Sequence, residues 1–191
     1  MAASAQAERV LLDGEALRRT IVRIAHEVVE RNPNLDNTAL VGIHTRGVPF
    51  AQRLRREIEE FTGQEVALGT LDITFHRDDV HARDRSGPLH PQPVVRATRL
   101  DFPLEGMTCV LCDDVLYTGR TVRAAIDALF DYGRPARVQL AVLADRGHRE
   151  LPIRPDYVGK NLPTAPDERV QVQLLEVDEV DRVLLVPTPE K

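Results

Sequence analysis

The sequence predicts an α/β protein in which a central parallel sheet is flanked by helices. Short apolar stretches alternate along the chain with longer segments of helical periodicity, which is the pattern of strand–helix–strand units. The composition, with 42% hydrophobic and 29% charged residues, is typical of a globular protein. At 191 residues the chain is long enough for one domain with a sizeable core, so we expect a single domain over residues 1–191.

Two helices and two strands are predicted in the N-terminal half. Residues 14–31 have helical periodicity, and Asp13 is a residue type suited to cap that helix. Residues 39–43 form an apolar run that predicts a buried strand, and residues 48–61 predict the next helix. Residues 66–75 predict a second strand.

The C-terminal half continues the same alternation. Residues 108–112 predict a buried strand, which is followed by a helix over about residues 119–132 and a strand at 137–143. Beyond it, short apolar runs are split by prolines and end in a run at 182–186. Because the strands alternate with helices, we expect a parallel sheet that is covered on both faces.

Two segments are predicted to lack regular structure. Residues 76–98 carry many charges and several prolines, and a loop of this length in a compact domain is typically a lid or disordered. Residues 1–8 are expected to fray, and they lack the basic start and apolar core of a signal peptide. No apolar run of about 18 residues is present, so we expect a cytoplasmic protein without a membrane span.

The two cysteines, Cys109 and Cys112, form a C-x-x-C motif inside the predicted strand 108–112. Residues three apart on a strand point to opposite faces, so the two sulfur atoms cannot approach each other. No second pair is present to complete a zinc site. We therefore expect ordinary buried thiols.

The charge of the chain restricts the partners that it can bind. With 25 Lys and Arg against 30 Asp and Glu, the net charge is −5, so the surface as a whole cannot bind nucleic acid. Lys160 and Lys191 are the only lysines, and the other basic residues are arginines, which bind phosphate oxygens in a bidentate fashion. A codon bias toward arginine explains this skew equally well, so composition permits a local basic face without demonstrating one.

The most informative stretch is residues 110–121, where an apolar strand is followed by Asp113 and Asp114 and then by a loop that opens into a helix. Free N–H groups at a helix N-terminus bind phosphate, and Gly119 allows close approach of the backbone. Thr118 and Thr121 add hydroxyl donors, while the carboxylates accept hydrogen bonds from a ribose diol. The alternative is a capped turn with two solvated aspartates. The whole run favours a sugar-phosphate site, and the two common nucleotide-binding glycine motifs are absent from the sequence.

Residues 110–121 resemble the phosphoribosyl-pyrophosphate (PRPP) signature of the type I phosphoribosyltransferases. Further stretches resemble the branch of that family that combines uracil phosphoribosyltransferase activity with regulation of pyrimidine operons. These stretches, within residues 10–185, are 23–27, 41–47, 71–74, 77–79, 139–143, 145–154 and 158–161. The resemblance implies a small hood beside the parallel sheet and a flexible lid loop over residues 76–98.

The resemblance also implies a substrate site in which uracil N1 displaces pyrophosphate from ribose C1 of PRPP to give UMP. Asp113 and Asp114 would be the catalytic residues and would bind the ribose hydroxyls, and Asp113 is also a candidate base. The implied transition state resembles an oxocarbenium ion, so positioning and charge matter more than a nucleophile. Mg²⁺ would bind through PRPP, with no direct ligand from the protein. The other implied substrate contacts are Thr45, Arg46, Arg96, Val115, Leu116, Tyr117, Thr118, Gly119, Arg120, Thr121, Arg146 and Val170, with Arg77 as a further lid candidate.

Two basic clusters carry the regulatory part of the resemblance. At 100° per residue, the apolar residues of helix 14–31 fall on one side, and Arg19, Arg23 and His26 fall on the opposite side. A second cluster contains Arg149, Arg154 and Lys160. The resemblance implies that both contact the leader mRNA of a pyrimidine operon when UMP is abundant, and that the chain forms a homodimer or a larger homo-oligomer. Ordinary charges on an amphipathic helix are the alternative interpretation.

The sequence departs from the family pattern at three places. His44 stands where many relatives have lysine, and Phe75-His76 replaces the usual Leu-Tyr before the lid. Val22 occupies a position on the basic helix face where a hydroxyl or similar polar group is expected, which weakens the RNA inference more than the catalytic one. Two alternatives therefore stay open: a phosphoribosyltransferase without RNA regulation, and a transferase that uses purine bases.

Overall fold

The computed structural model describes residues 8–77 and 96–187, and two sheets form its framework. The five-stranded sheet is parallel and has the order β3-β2-β4-β5-β6, whereas the three-stranded sheet is antiparallel and has the order β1-β8-β7. The strands are β1 (Arg9–Leu12), β2 (Thr38–Ile43), β3 (Ala67–Leu71), β4 (Thr108–Leu116), β5 (Arg137–Asp145), β6 (Tyr157–Asn161), β7 (Glu168–Gln173) and β8 (Arg182–Pro187). The helices are α1 (Gly14–Arg31), α2 (Gly47–Thr62), α3 (Arg120–Phe130) and the short α4 (Leu175–Asp178).

Helices cover both faces of the parallel sheet, as predicted. One buried layer joins α1 and α2 to alternate residues of β4, among them Val110 and Cys112. The other layer joins α3 to the intervening residues, Cys109 and Leu111. A strand buried on both faces must be apolar throughout, which is why the central strands are continuous hydrophobic runs.

The C-x-x-C motif behaves as expected from this alternation. Cys109 and Cys112 are free and buried, and they belong to opposite core layers. Burial raises the pKa of the Cys109 thiol to about 11. Burial also raises the pKa of Cys112, where the nearby Asp113 carboxylate adds to the effect. Both thiols are therefore poor nucleophiles in the folded protein.

The helix boundaries follow the sequence prediction closely. Helix α1 begins after Asp13, whose Oδ1 accepts a hydrogen bond of 2.8 Å from the Ala16 N–H, so the predicted N-cap is confirmed. Helices α2 and α3 lie within two residues of their predicted limits. Because the positions of the caps and apolar stripes are local features, they are visible in the sequence.

Two predicted strands have the wrong length. Strand β4 continues to Leu116 instead of ending at residue 112, because β5 pairs with it as far as Asp145. Strand β3 ends at Leu71 instead of residue 75. There the Asp72 carboxylate accepts a hydrogen bond of 2.8 Å from the Thr74 N–H, and this side chain-to-backbone turn competes with continued strand pairing.

The antiparallel sheet is the small hood implied by the resemblance, but its N-terminal strand is a finding of the structure. Strand β1 follows the expected frayed end directly and pairs with β8, so the apolar run at 182–186 forms a strand. Strand β7 completes the sheet.

The predicted lid, residues 76–98, lies mostly outside the described residues, as do residues 1–7 of the predicted frayed end. None of the helices within residues 8–77 and 96–187 combines the length and apolar character needed to cross a membrane.

Candidate active site

Asp113 and Asp114 lie within the C-terminal part of β4, at the edge of the parallel sheet where ligands bind in open α/β folds. Asp113 is only 6% exposed, and its Oδ1 accepts a hydrogen bond of 3.0 Å from the Asp114 N–H. The Asp114 Oδ1 accepts one of 2.9 Å from the Val115 N–H. The backbone therefore orients both carboxylates at this edge.

The environment makes a fully ionised pair costly. Burial raises the pKa of Asp113 well above its ordinary range, and the negative charge of Asp114 raises it further. Burial also raises the pKa of Asp114, against the effect of hydrogen bonds and of the Arg46 charge. Two carboxylates in one buried site favour a ligand that donates hydrogen bonds or carries positive charge.

A phosphate-sized anion has donors available beside this pair. The loop after β4 leads into α3 through Gly119, which has a φ of +95° and no side chain to cap the helix. The Thr118 hydroxyl accepts a hydrogen bond of 3.3 Å from the Arg120 N–H, and the next N–H groups of the first turn point toward the loop without a side-chain cap from Gly119. A Cβ atom at this position would lie 3.3 Å from side-chain atoms of Leu151 and Ile153. Glycine is thus required by both backbone conformation and space.

A second loop holds the phosphate loop in place. The Thr118 carbonyl accepts hydrogen bonds from the N–H groups of Glu150, at 3.0 Å, and Leu151, at 3.1 Å. The Arg149 guanidinium donates to the Tyr117 carbonyl at 2.8 Å and also contacts the Asp145 carboxylate. Arg149 therefore has an intramolecular role that the sequence did not indicate.

Arg146 lies directly beside the same loop. It is 6% exposed, and its guanidinium carbon is 4.0 Å from the centre of the Tyr117 ring, a cation–π distance. Its nitrogen atoms donate to the Thr164 hydroxyl at 3.2 Å and to the Glu168 carbonyl at 2.7 Å. The structure thus brings two of the predicted substrate contacts, Arg146 and Tyr117, into one cluster.

The loop between β2 and α2 approaches the carboxylates from the neighbouring strand. Gly47 begins α2 so close to β4 that a Cβ atom would lie 2.1 Å from the Cys112 carbonyl oxygen. Arg46 donates two hydrogen bonds, of 2.6 and 3.0 Å, to Asp178 of α4. These bonds raise the pKa of Arg46 and lower the pKa of Asp178, and the Asp114 charge also raises the pKa of Arg46.

The predicted lid contact Arg96 meets this loop. Its guanidinium donates a hydrogen bond to the Thr45 hydroxyl, and its backbone N–H donates to the Asp72 carboxylate. Burial favours the neutral form of Asp72, but hydrogen bonds from Thr74 and Arg96 outweigh it and lower the pKa. Arg46, Thr45 and Arg96 therefore form a cationic and hydroxyl-bearing loop cluster beside the paired aspartates.

Comparison with known proteins identifies the family. The protein-family model described as the phosphoribosyl transferase domain matches residues 9–179 of the chain. The chain is 56% identical over 182 residues to the bifunctional protein PyrR of Roseiflexus sp., over 95% of this chain and 96% of that protein. It is 54% identical over 175 residues to the bifunctional protein PyrR of Clostridioides difficile, over 92% and 96% of the two chains. The chain belongs to the PyrR family of phosphoribosyltransferases.

The fold agrees with that membership. A solved hypoxanthine phosphoribosyltransferase from Trypanosoma cruzi, in complex with the product IMP, superposes with a TM-score of 0.67. It covers 100% of this chain and 94% of that chain at 18% sequence identity, so this likeness concerns the fold alone. The predicted type I phosphoribosyltransferase fold is confirmed.

Two of the residues that the PyrR resemblance implied as substrate contacts lie in the core, and two residues that contact the site were not predicted. Val170 of β7 is 5% exposed and packs in the core layer of α1 and α2, and Leu116 is buried in the opposite layer. Asp72 and Asp178 contact predicted site residues but were not predicted. Asp72 follows a strand, which was an available signal, whereas nothing in the sequence near Asp178 indicates that it reaches Arg46.

The acidic pair fits a Mg²⁺ ion that arrives with its substrate. Among the described residues there is no cluster of three His, Cys, Asp or Glu side chains that could hold a metal. Mg²⁺ typically keeps several waters and binds through one or two carboxylates together with substrate phosphates. Asp113 and Asp114 could supply the one or two carboxylates of such a donor set, whereas the resemblance implied no direct ligand from the protein.

The basic face of α1 contacts the strand that carries part of the second basic cluster. Arg23 donates from its guanidinium to the carbonyl oxygens of Val158, at 3.0 Å, and Gly159, at 2.6 Å. The outward face of α1 therefore adjoins β6, where Lys160 is exposed. Arg154 is also exposed, on the segment before β6.

The remaining members of the α1 cluster have neighbours on their own surface. Arg19 forms an ion pair of 2.6 Å with Glu15. The His26 ring stacks on Phe61 of α2, with ring centres 4.0 Å apart.

Proposed function

We propose that the chain transfers the phosphoribosyl group of PRPP to uracil, and that its UMP-bound form binds the leader mRNA of a pyrimidine operon. The transferase proposal rests on one observation above all. The buried carboxylate of Asp113 and the half-buried carboxylate of Asp114 lie on the strand that leads, at the same sheet edge, into a helix N-terminus whose N-cap residue is a glycine. This pairing of diol acceptors with phosphate donors matches a ribose 5-phosphate.

The geometry supports a division of roles among the residues. Asp113 and Asp114 accept hydrogen bonds from the ribose hydroxyls and stabilise the positive charge that develops at C1. The loop before α3 binds the 5′-phosphate, and Thr45, Arg46 and Arg96 orient the pyrophosphate that leaves. Mg²⁺, when bound with PRPP, supplies further positive charge at the pyrophosphate. Asp113, whose pKa burial raises, is the candidate acceptor for the uracil N1 proton.

Replacement of both acidic residues tests the catalytic role. The double variant Asp113→Asn with Asp114→Asn is expected to abolish UMP formation from uracil and PRPP, because the amides neither stabilise positive charge nor accept a proton. Asp127→Asn on the exposed face of α3 is a matched control that should retain activity. Retained turnover in the double variant would contradict the site.

The regulatory proposal is supported by the surface that α1 and β6 share. Arg23 of α1 donates hydrogen bonds to the backbone of β6, and Arg154 and Lys160 are exposed. We expect a labelled leader RNA of the host's pyrimidine operon to bind more tightly with UMP than without it, at a fixed salt concentration near the physiological value. If the RNA did not bind specifically in either condition, the regulatory proposal would be wrong and only the transferase function would remain.

Competition with other bases addresses the second alternative. We expect hypoxanthine and guanine to leave the rate of uracil turnover unchanged. Nucleotide formation from either purine would instead favour a transferase that uses purine bases.

We also propose the cytoplasm as the compartment, since both substrates and mRNA are there. A homodimer or larger homo-oligomer is the expected assembly, which sedimentation tests.

A further inference from the structure

A groove between α1 and α2 has features that the transferase site does not use. Its volume is about 380 Å³, within the size range of small-ligand sites. It adjoins the basic face of α1 and is formed by cationic, acidic and aromatic groups. The side chains that matter here are Arg18, Arg19, His26, Glu57, Glu60 and Phe61.

The aromatic part of the groove is a ready stacking surface. The rings of His26 and Phe61 lie 4.0 Å apart with an angle of 18° between their planes. Phe61 is nevertheless 40% exposed, so a large apolar ring at the end of α2 remains accessible to a ligand. Flat aromatic side chains of this kind bind unpaired RNA bases by stacking.

The acidic part of the groove lacks a matching donor. The Glu57 side chain is only 9% exposed, and its single ionic neighbour among the described residues, Arg56, lies 3.8 Å away, beyond hydrogen-bond distance. Within the part of the chain that the structure describes, no group donates a hydrogen bond to its carboxylate. The carboxylate oxygens reach the groove and have no donor there from the described part of the protein, so they can accept hydrogen bonds from a ligand with N–H groups.

The charges determine which part of a nucleotide can enter. Glu57 and the exposed Glu60 repel phosphate from the groove itself. Arg19 and Arg18 are exposed on the α1 side and suit the flanking phosphates, and among the described residues the ionic partner of Arg19 is the exposed Glu15. The base therefore enters the groove while the backbone remains on the basic surface.

We propose that this groove binds an unpaired guanine of the leader RNA, an inference that rests on the proposed RNA-binding function. Guanine presents two adjacent donors, N1–H and the N2 amine, on its Watson–Crick edge, and a carboxylate can accept from both. Glu57 is the specificity residue, and Phe61 with His26 is the stacking platform. Uracil and adenine lack this pair of donors.

The test replaces each unpaired guanosine of the leader stem–loop with inosine, which lacks only the N2 amine. We expect inosine at one of these positions to weaken binding of the RNA by the wild-type protein about tenfold, with UMP present. Glu57→Gln has one acceptor oxygen in place of two, so it should bind the guanosine RNA about tenfold more weakly and lose the preference over inosine. Glu59→Gln, an exposed change on the same helix outside the groove, is the matched control.

A second variant separates stacking from folding defects. Phe61→Leu keeps apolar bulk and removes the ring, and we expect at least a fivefold loss of RNA affinity with an unchanged thermal unfolding midpoint. RNA binding that is insensitive to inosine at every position and to Glu57→Gln would overturn the guanine site and leave the regulatory function intact. If the Phe61→Leu variant had a smaller molecular mass in solution than the wild-type protein but the same RNA affinity, the groove would be a contact between subunits and not a base site. A wild-type protein that binds no leader RNA would overturn both proposals.

Discussion

Gly119 shows how one residue couples backbone conformation to ligand binding. It has a φ of +95°, and a Cβ atom at this position would lie 3.3 Å from side-chain atoms of Leu151 and Ile153. Gly106 has a φ of +79°, but a Cβ atom there would meet nothing within 4 Å. The two glycines therefore share the conformational requirement and differ in the steric one.

We expect Gly119→Ala to raise the KM for PRPP at least tenfold and to lower the free energy of unfolding by about 1–2 kcal/mol, the cost of a left-handed non-glycine residue. Gly106→Ala should cost a similar stability while leaving the KM unchanged. Urea unfolding and initial rates measure the two quantities. An equal KM effect in both variants would mean that general destabilisation, and not the phosphate loop, is responsible.

Asp178 links acid stability to the loop that carries Arg46. Hydrogen bonds from Arg46 hold the pKa of the Asp178 carboxyl below its ordinary value. The ionised form is thus stabilised by folding, so its contribution is present above about pH 4 and is lost as the pH falls through the lower folded value.

For Asp178→Asn we expect a lower free energy of unfolding than wild type at pH 7 and convergence of the two proteins as the pH falls below about 4. Urea unfolding followed by circular dichroism between pH 7 and pH 3 checks this. If the free energies of unfolding of the two proteins differed by a constant amount over that pH range, the charge of the Asp178 carboxylate would not be the source of the difference.

Helix α1 has a different function on each side. Its buried side packs against the sheet, and Arg23 on the outward side reaches the carbonyl groups of β6. A change at Arg23 therefore affects both the basic surface and the contact between the two elements.

We expect Arg23→Ala to reduce leader RNA affinity about tenfold and to leave UMP synthesis nearly unchanged, because the helix lies outside the carboxylate edge. Arg137→Ala is a suitable control, since Arg137 is exposed at the start of β5, at the opposite end of the sheet. Binding assays at one salt concentration and initial rates give the two measurements. An equal loss of RNA affinity and activity would identify the helix contact as purely structural.

The core of the whole molecule can be monitored through its thiols. Cys109 and Cys112 are on opposite faces of the central strand β4, so each reports one core layer. Burial raises their pKa values, that of Cys109 to about 11.

We expect neither thiol to react with an alkylating reagent at pH 8 until the protein unfolds, and both should then react together. Mass spectrometry after labelling at increasing urea concentrations measures this. Rapid labelling of one cysteine in the native protein would show that its core layer opens independently.

Much of the candidate site was predictable because it lies in continuous sequence. The run from β4 through Gly119 into α3 contains the acidic pair and the phosphate loop together. The partners of Arg46, Arg149 and Arg23 were not predictable. Asp178 is 132 residues from Arg46 in sequence, and Gly159 is 136 residues from Arg23.

Periodicity, capping and motifs depend on near neighbours, so the local sequence was enough to predict the alternation of strands and helices, the cap at Asp13 and the family signature. The pairing of β1 at one end of the chain with β8 at the other is visible only in the folded molecule. The same is true of the bonds between Arg46 and Asp178, and of Glu57, which is left without a donor beside Phe61. Contacts between distant residues follow from packing of the whole chain, and such packing leaves no local pattern in the sequence.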